Sequence, residues 1–235
     1  MIETIPIWVE ILFIIVFLIT LLFFYLSNGQ PVKLLVLICA WALVQSGLAL
    51  SGFYLHQSRF PRFILVLLPA FLFMGYGLLP QNTTWMLSKR DVRLSTFLHT
   101  VRLPIEIILF KLYLNKMIPQ LMTFEGRNFD IVIGITAPIV GYLYLKKRIS
   151  KIKLIAWNII GIYFVCFILI NGILSSELPF QQFAFDQPNR AVNFFPFTLL
   201  PAVIIPIVIW THITDIIKLS RDNNNIWTFI ECMFF

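Results

Sequence analysis

The stretch HTVRLPIEIILFK, residues 99–111, carries His99, Arg102 and Glu106 at i, i+3 and i+7, followed by Lys111. On a helix of 3.6 residues per turn the first three share one face, while Lys111 points elsewhere. An imidazole, a guanidinium and a carboxylate in one stripe can pass a proton, hold a charged ligand or contribute to a metal site. Their neighbours are Val, Leu, Ile and Phe, a setting made for hydrocarbon. An ionisable group at membrane depth costs at least a few kcal/mol, so each is expected to face a bundle interior or a wet cavity and to find a partner there.

Depth along the helices indicates which partners are within reach. At about 1.5 Å per residue, Arg102 lies about 7 Å from the inner membrane surface and Glu106 lies near the midplane. His212 falls at the depth of Arg102, Asp215 at that of His99, and Lys111 and Glu10 both fall about 8 Å from the outer surface. The spacing therefore predicts an inner polar cluster of His99, Arg102, His212 and Asp215. It also predicts a separate outer ion pair, Glu10–Lys111, with Glu106 joining the inner and middle layers. The plainer alternative is that Arg102 and Lys111 snorkel, the histidines are interfacial, and Arg102 and Glu106 at i, i+4 neutralise each other. Glu106 resists that alternative, because its short side chain has no interface within reach at the midplane.

The elements that must position these groups are membrane helices. Of the 235 residues, 59% are hydrophobic and only 12% charged, and the mean hydropathy is +0.88, far from the mix of a water-soluble domain. A hydrocarbon core about 30 Å thick needs about 20 helical residues. Seven segments qualify: 5–26, 33–54, 62–80, 97–118, 129–146, 152–174 and 195–217. The fourth is the least apolar and carries Pro104, which should kink it. The expected fold is one all-α, polytopic membrane domain, a bundle of seven transmembrane helices over residues 1–221, with a short cytoplasmic or interfacial tail at 222–235. The N-terminal apolar run lacks a basic n-region and a cleavage site and should be retained as the first helix.

With the N-terminus outside, the inner side holds Lys33, Lys89, Arg90, Arg93, the cluster KKRISKIK at 146–153, Lys218 and Arg221, whereas the outer side holds Arg59, Arg62, Lys116, Arg127 and Arg190. That asymmetry favours N-out, C-in and accounts for the net charge of +7 without a nucleic-acid partner. The third and seventh spans share Phe-Pro followed by Leu-Leu-Pro-Ala, and the second and sixth share Ala-Trp at 40–41 and 156–157. These similarities suggest a 3+1+3 arrangement of parallel repeats with the fourth helix as the inversion linker, chance in a Leu-rich chain being the alternative.

Several chemistries are excluded or weakly supported. Cys39, Cys166 and Cys232 have neither disulfide-framework nor metal-binding spacing. No phosphate-cradling Gly-rich loop and no nucleophile elbow is present, and the seventh helix has no lysine before Lys218 to form a retinal Schiff base. His99, His212 and Asp215 could make a three-ligand set with Glu106 as base, but their spacing matches no histidine-rich metalloenzyme motif. The outer loops LMTFEGRNFD and SSELPFQQFAFDQPNRAVNFF bring Glu125, Arg127, Asp130, Asp186 and Arg190 among aromatics, either as a lid over the outer mouth or as interfacial anchors. Pro69, Pro138, Pro201 and Pro206, with Thr136, Asn158, Asn171 and Thr198, are the kind of breaks and polar groups that cargo sites use.

The 3+1+3 topology resembles that of sugar transporters built from two triple-helix repeats. Their paired proline-glutamine signature is absent, since Pro80-Gln81 and Pro119-Gln120 are dipeptides at helix ends. The strings HTVRLPIEI, TFEGRNFD and FQQFAFDQPN resemble those of uncharacterised multi-pass membrane proteins from bacteria, over the fourth to seventh spans. That resemblance implies a bacterial inner membrane and no particular activity. The resulting expectation is a transporter or small-molecule-binding protein of the lipid bilayer, taking a proton or a small charged cargo at Glu106, Arg102, His99, His212 and Asp215, with no cofactor and no metal. The alternatives are a membrane-embedded enzyme using His99, His212 and Asp215, and an assembly subunit without a small-molecule site.

Overall fold

The computed structural model describes residues 5–56, 62–79, 81–82 and 87–221. Among them the regular structure is entirely helical. In chain order the helices are α1 (Ile7–Ser27), α2 (Val32–Leu50), α3 (Ile64–Leu78), α4 (Val92–Leu98), α5 (Arg102–Leu114), α6 (Asp130–Leu145), α7 (Lys151–Leu174) and α8 (Ile205–Arg221). A π-helical segment, Leu200–Ile204, leads directly into α8. Among the described residues four stretches are long and apolar enough to cross a membrane: α1, α2, α7 and Leu200–Arg221. The third and fifth expected segments form shorter apolar helices, α3 and α6. The tail at 222–235 lies outside the described residues.

The fourth segment is not one helix from residue 97. It starts at Val92, because Asp91 caps it: its carboxylate accepts from the Arg93 amide at 2.8 Å and from the Leu94 amide at 3.4 Å. A 3-10 turn, His99–Val101, separates α4 from α5. Pro104 has no N–H for the Thr100 carbonyl, and the chain answers by tightening the turn before it, with the Arg102 amide donating to the His99 carbonyl.

Two other prolines are answered from α2. Pro69 leaves the Leu65 carbonyl without its intrahelical donor, and the Gln45 side-chain amide donates to it at 3.4 Å. Pro206 does the same to Ala202, whose carbonyl accepts from the Trp41 indole at 3.1 Å. Trp41 and Gln45, at i and i+4, lie on one face of α2, so that face ties α3 and the α8 segment together. The hydroxyls of Thr20, Ser46, Thr96, Thr136, Thr211 and Thr214 are satisfied in the same economical manner, each donating to the carbonyl four residues earlier.

The α8 segment is the axis of the molecule: 78% of its apolar window is buried, against 17% for α2. It packs most extensively on α7, while α1 lies across α4 and α5 and seats Phe13 edge-on against Phe197 at 5.3 Å. Small residues set the closest approaches. A Cβ at Gly134 of α6 would meet the Leu103 backbone, and one at Gly161 of α7 would meet the His212 ring. At one end of the bundle the Asp91 amide donates to the Ser27 carbonyl at 2.8 Å, and Arg90 reaches both Asn28 and Asp215. The end of α1, the start of α4 and the end of α8 therefore meet, so α1 and α8 run in the same direction and α4 opposes them.

Candidate functional site

Three layers of buried polar groups run along the bundle interior. The first is centred on Asp215, which is fully buried and accepts from Arg90 Nε at 2.6 Å and from Ser95 Oγ at 2.6 Å. Arg90 spends its other donors on Asn28 Oδ1 at 2.8 Å and the Thr211 carbonyl at 2.9 Å. Asp215 was expected to join Arg102. It is instead matched by Arg90, because the capped start of α4 brings that residue inward. In the sequence, Arg90 counts only as an orientation charge.

The middle layer holds the two histidines. Their rings stack at 3.7 Å with planes 9° apart, and Trp157 lies edge-on to both at 5.6 and 5.7 Å. His212 Nε2 faces Arg102 Nη2 at 3.0 Å, and its Nδ1 faces Asn158 Oδ1 at 2.7 Å. A guanidinium only donates, so Nε2 accepts and the proton sits on Nδ1, donated to Asn158. Asn158 is oriented in turn by donating to the Leu154 carbonyl at 2.9 Å. Neither ring nitrogen of His99 has a hydrogen-bond partner, although the side chain is fully buried.

Arg102 is then carried to the third layer. It donates to Asp130 Oδ1 at 3.2 Å and makes a long contact with the Gly161 carbonyl at 3.4 Å. The ion pair of Arg102 is thus with Asp130 and not with Glu106 one turn away. Glu106 Oε1 accepts from the Asn128 side-chain amide, and Asn128 Oδ1 accepts from the Asp130 amide at 3.1 Å. The second carboxylate oxygen of Glu106 is buried without a hydrogen-bond partner. Glu106 lines a cavity of about 60 Å³ between α5, α7 and the π segment, together with Asn128, Asp130, Asn189 and Pro201. The loops before α6 and after α7 thus bring Asn128 and Asn189 to the cavity that Glu106 lines, and Gln187 fastens the second loop by donating to the Tyr113 and Ile118 carbonyls at 3.0 and 2.6 Å.

The sequence-derived cluster assembles in part. His99, Arg102 and His212 meet, whereas Asp215 belongs to a separate group one turn along α8. Glu106 connects to Arg102 through Asn128 and Asp130. The outer ion pair Glu10–Lys111 does not form: the Lys111 ammonium lies over the Trp8 ring at 5.9 Å, and Glu10 Oε1 is buried without a partner. Glu10 lies on the buried face of α1 and Trp8 on its exposed face, so equal depth did not bring the two charges together. A metal triad of His99, His212 and Asp215 is also not assembled. The imidazoles are stacked face to face, both Asp215 oxygens are engaged, and no group of three or more His, Cys, Asp or Glu among the described residues could hold a metal ion.

Arg90, Ser95 and Asn128 were missed as site residues. The Asp91 cap signal would have placed Arg90 at the end of the bundle where Asp215 lies. For Asn128, its place two residues before Asp130 in a Gly-containing loop was the available clue.

The family described as a domain of unknown function (DUF8737) matches residues 59–220 of the chain, a region that includes the three polar layers apart from Asn28 and excludes α1 and α2. No curated protein and no solved structure matches the chain.

Proposed function

Because the chain belongs to the DUF8737 family, whose description carries no activity, we propose a function from the polar interior: a transporter-type membrane protein in which Glu106 takes up a proton or a small cation. One observation carries this reading. Among the described residues the two buried guanidiniums are each matched to an aspartate, Arg90 to Asp215 and Arg102 to Asp130, so none of them is left to pair with the Glu106 carboxylate. A carboxyl in that position must be compensated by a proton or by a cation that enters its cavity.

Size narrows the cargo. Sites for drug-sized ligands run from about 300 to 1,000 Å³, and the Glu106 cavity of about 60 Å³ accommodates waters or an ion but no sugar. Asn128, Asp130, Arg102, His212 and Asn158 extend from Glu106 as a hydrogen-bonded file, an arrangement suited to coupling proton occupancy at Glu106 to the packing of α5 on α7 and α8.

The topology belongs to the same proposal. Seven crossings combine the four long stretches with α3, α6 and the α4–α5 unit, with N-out, C-in orientation in a bacterial inner membrane and parallel repeats flanking α4–α5. The shared direction of α1 and α8, opposed by α4, and the basic bias of the loops support it.

Proton flux into proteoliposomes carrying a trapped pH-sensitive dye, driven by a potassium diffusion potential, tests the reading. The wild-type protein should conduct protons and Glu106→Gln should not. A hydrophobic carbodiimide should also block flux and modify Glu106. Flux that is the same in the variant and the wild type removes Glu106 from the mechanism.

A further inference from the structure

Away from the polar interior, α2 and α3 are thinly packed. Val66 is the one described residue of α3 that is fully buried, and α2 buries only Ala42, Gln45 and Ala49. The gap they leave against the α8 segment is a chamber of about 380 Å³, lined mainly by apolar side chains such as Leu37, Ile38, Phe73, Met74 and Ile207. Val36, Leu43 and Leu72 of the same helices are exposed apolar residues, and the polar side chains that reach the chamber, Gln81 and Asn82, follow the end of α3.

A second cavity, of about 290 Å³, abuts it at the end of the bundle where α1 stops and α2 begins. It is the more polar of the two. It is lined by Asn28, Gln30, Lys33 and Lys89 beside Pro31, Val32 and Leu34, and among the described residues no acidic side chain lines it. The first amides of α2 lack intrahelical acceptors, and Pro31 before them provides no side-chain cap. Gly29, at φ +73°, has no Cβ, and the stem of Lys89 lies so close that one there would overlap it; this packing holds the lysine at the rim.

Leu34 and Trp210 line both cavities. Trp210 is 8% exposed, and its indole N–H has no hydrogen-bond partner. A buried N–H donor left unpaired costs about 1–3 kcal/mol, and the side chain that carries this one lines both the apolar chamber and the basic mouth. Gly77 makes the placement possible, since a Cβ there would overlap the indole ring.

We infer that the two cavities are one site for an anionic phospholipid, with an acyl chain in the chamber between α2, α3 and α8 and the phosphate at Lys33, Lys89 and the start of α2. The Trp210 N–H faces the polar junction of the lipid. Charge selects the headgroup, as basic pockets between membrane helices do, and the apolar chamber distinguishes a lipid from free phosphate. The inference rests on the membrane reading but not on the Glu106 site, and carbonate extraction of native membranes checks embedding by itself.

The test uses the full chain, stripped of lipid in detergent and incubated with phosphatidylglycerol or phosphatidylcholine of identical acyl chains, with bound lipid scored by native mass spectrometry. One phosphatidylglycerol per chain should be retained, at least about tenfold more tightly than phosphatidylcholine. Lys33→Gln with Lys89→Gln should abolish that preference; both lysines are exposed, so the fold should survive. Ala70→Phe should weaken both lipids by filling the chamber, and Leu37→Trp does so from an exposed position if Ala70→Phe fails to fold. Equal retention of the two lipids, competition by glycerol phosphate as effective as by phosphatidylglycerol, or wild-type binding in these variants would each overturn the assignment.

Discussion

At the scale of single residues, the polar interior separates groups that hold the structure from one that does not. Asp215 is engaged on both oxygens and matched to Arg90. Replacing it by Leu leaves a buried guanidinium uncompensated, and should cost about 3–5 kcal/mol of stability. Adding Arg90→Met to Asp215→Leu should restore most of that loss, because a buried ion pair replaced as a unit by apolar groups is often neutral. Thermal unfolding in detergent measures both. Glu106→Gln should behave in the opposite way. No guanidinium loses its partner, the amide oxygen still accepts from Asn128, and the melting temperature should stay level or rise while proton flux disappears. A fall in stability as large as that of Asp215→Leu would mark Glu106 as structural.

At the scale of elements, two of the helices broken by proline are held by side chains of a neighbour. Trp41 and Gln45 from one face of α2 take the Ala202 and Leu65 carbonyls that Pro206 and Pro69 leave without donors. Trp41→Phe should cost about 1–3 kcal/mol, the penalty for an unpaired buried carbonyl. In a Pro206→Ala background the restored amide serves Ala202, so the same substitution should cost clearly less. Thermal unfolding of the four proteins in this cycle gives the coupling, and additive losses would mean that Trp41 acts by packing alone. The Leu-Leu-Pro-Ala strings that invited a repeat are handled differently in the two places. Pro69 is answered by Gln45, whereas the Phe197 carbonyl that Pro201 leaves without its i+4 donor accepts from the Leu200 amide at 3.0 Å, within its own chain segment.

At the scale of the whole molecule, the arrangement of the ends makes orientation testable. On a background with Cys39, Cys166 and Cys232 replaced by Ser, a cysteine at Glu125 should react with a membrane-impermeant maleimide in intact cells. One at Lys147 should react only after permeabilisation. The reverse pattern would invert the proposed topology.

What the sequence determined alone was the helical class, the apolar segments and the fact that charges inside them need partners, because each follows from hydropathy summed over about 20 residues or from the cost of one group in hydrocarbon. It also brought His99, Arg102 and His212 together, since helical spacing and depth are both additive along a chain. Partner choice was decided only in three dimensions. Asp215 turned to Arg90, Arg102 to Asp130, and Lys111 to Trp8, because pairing depends on the angle at which each helix faces its neighbours. Depth specifies how far along the axis a group lies and leaves that rotation free. Packing sets it, through the Asp91 cap, the tightened turn before Pro104 and the close approaches at Gly134 and Gly161.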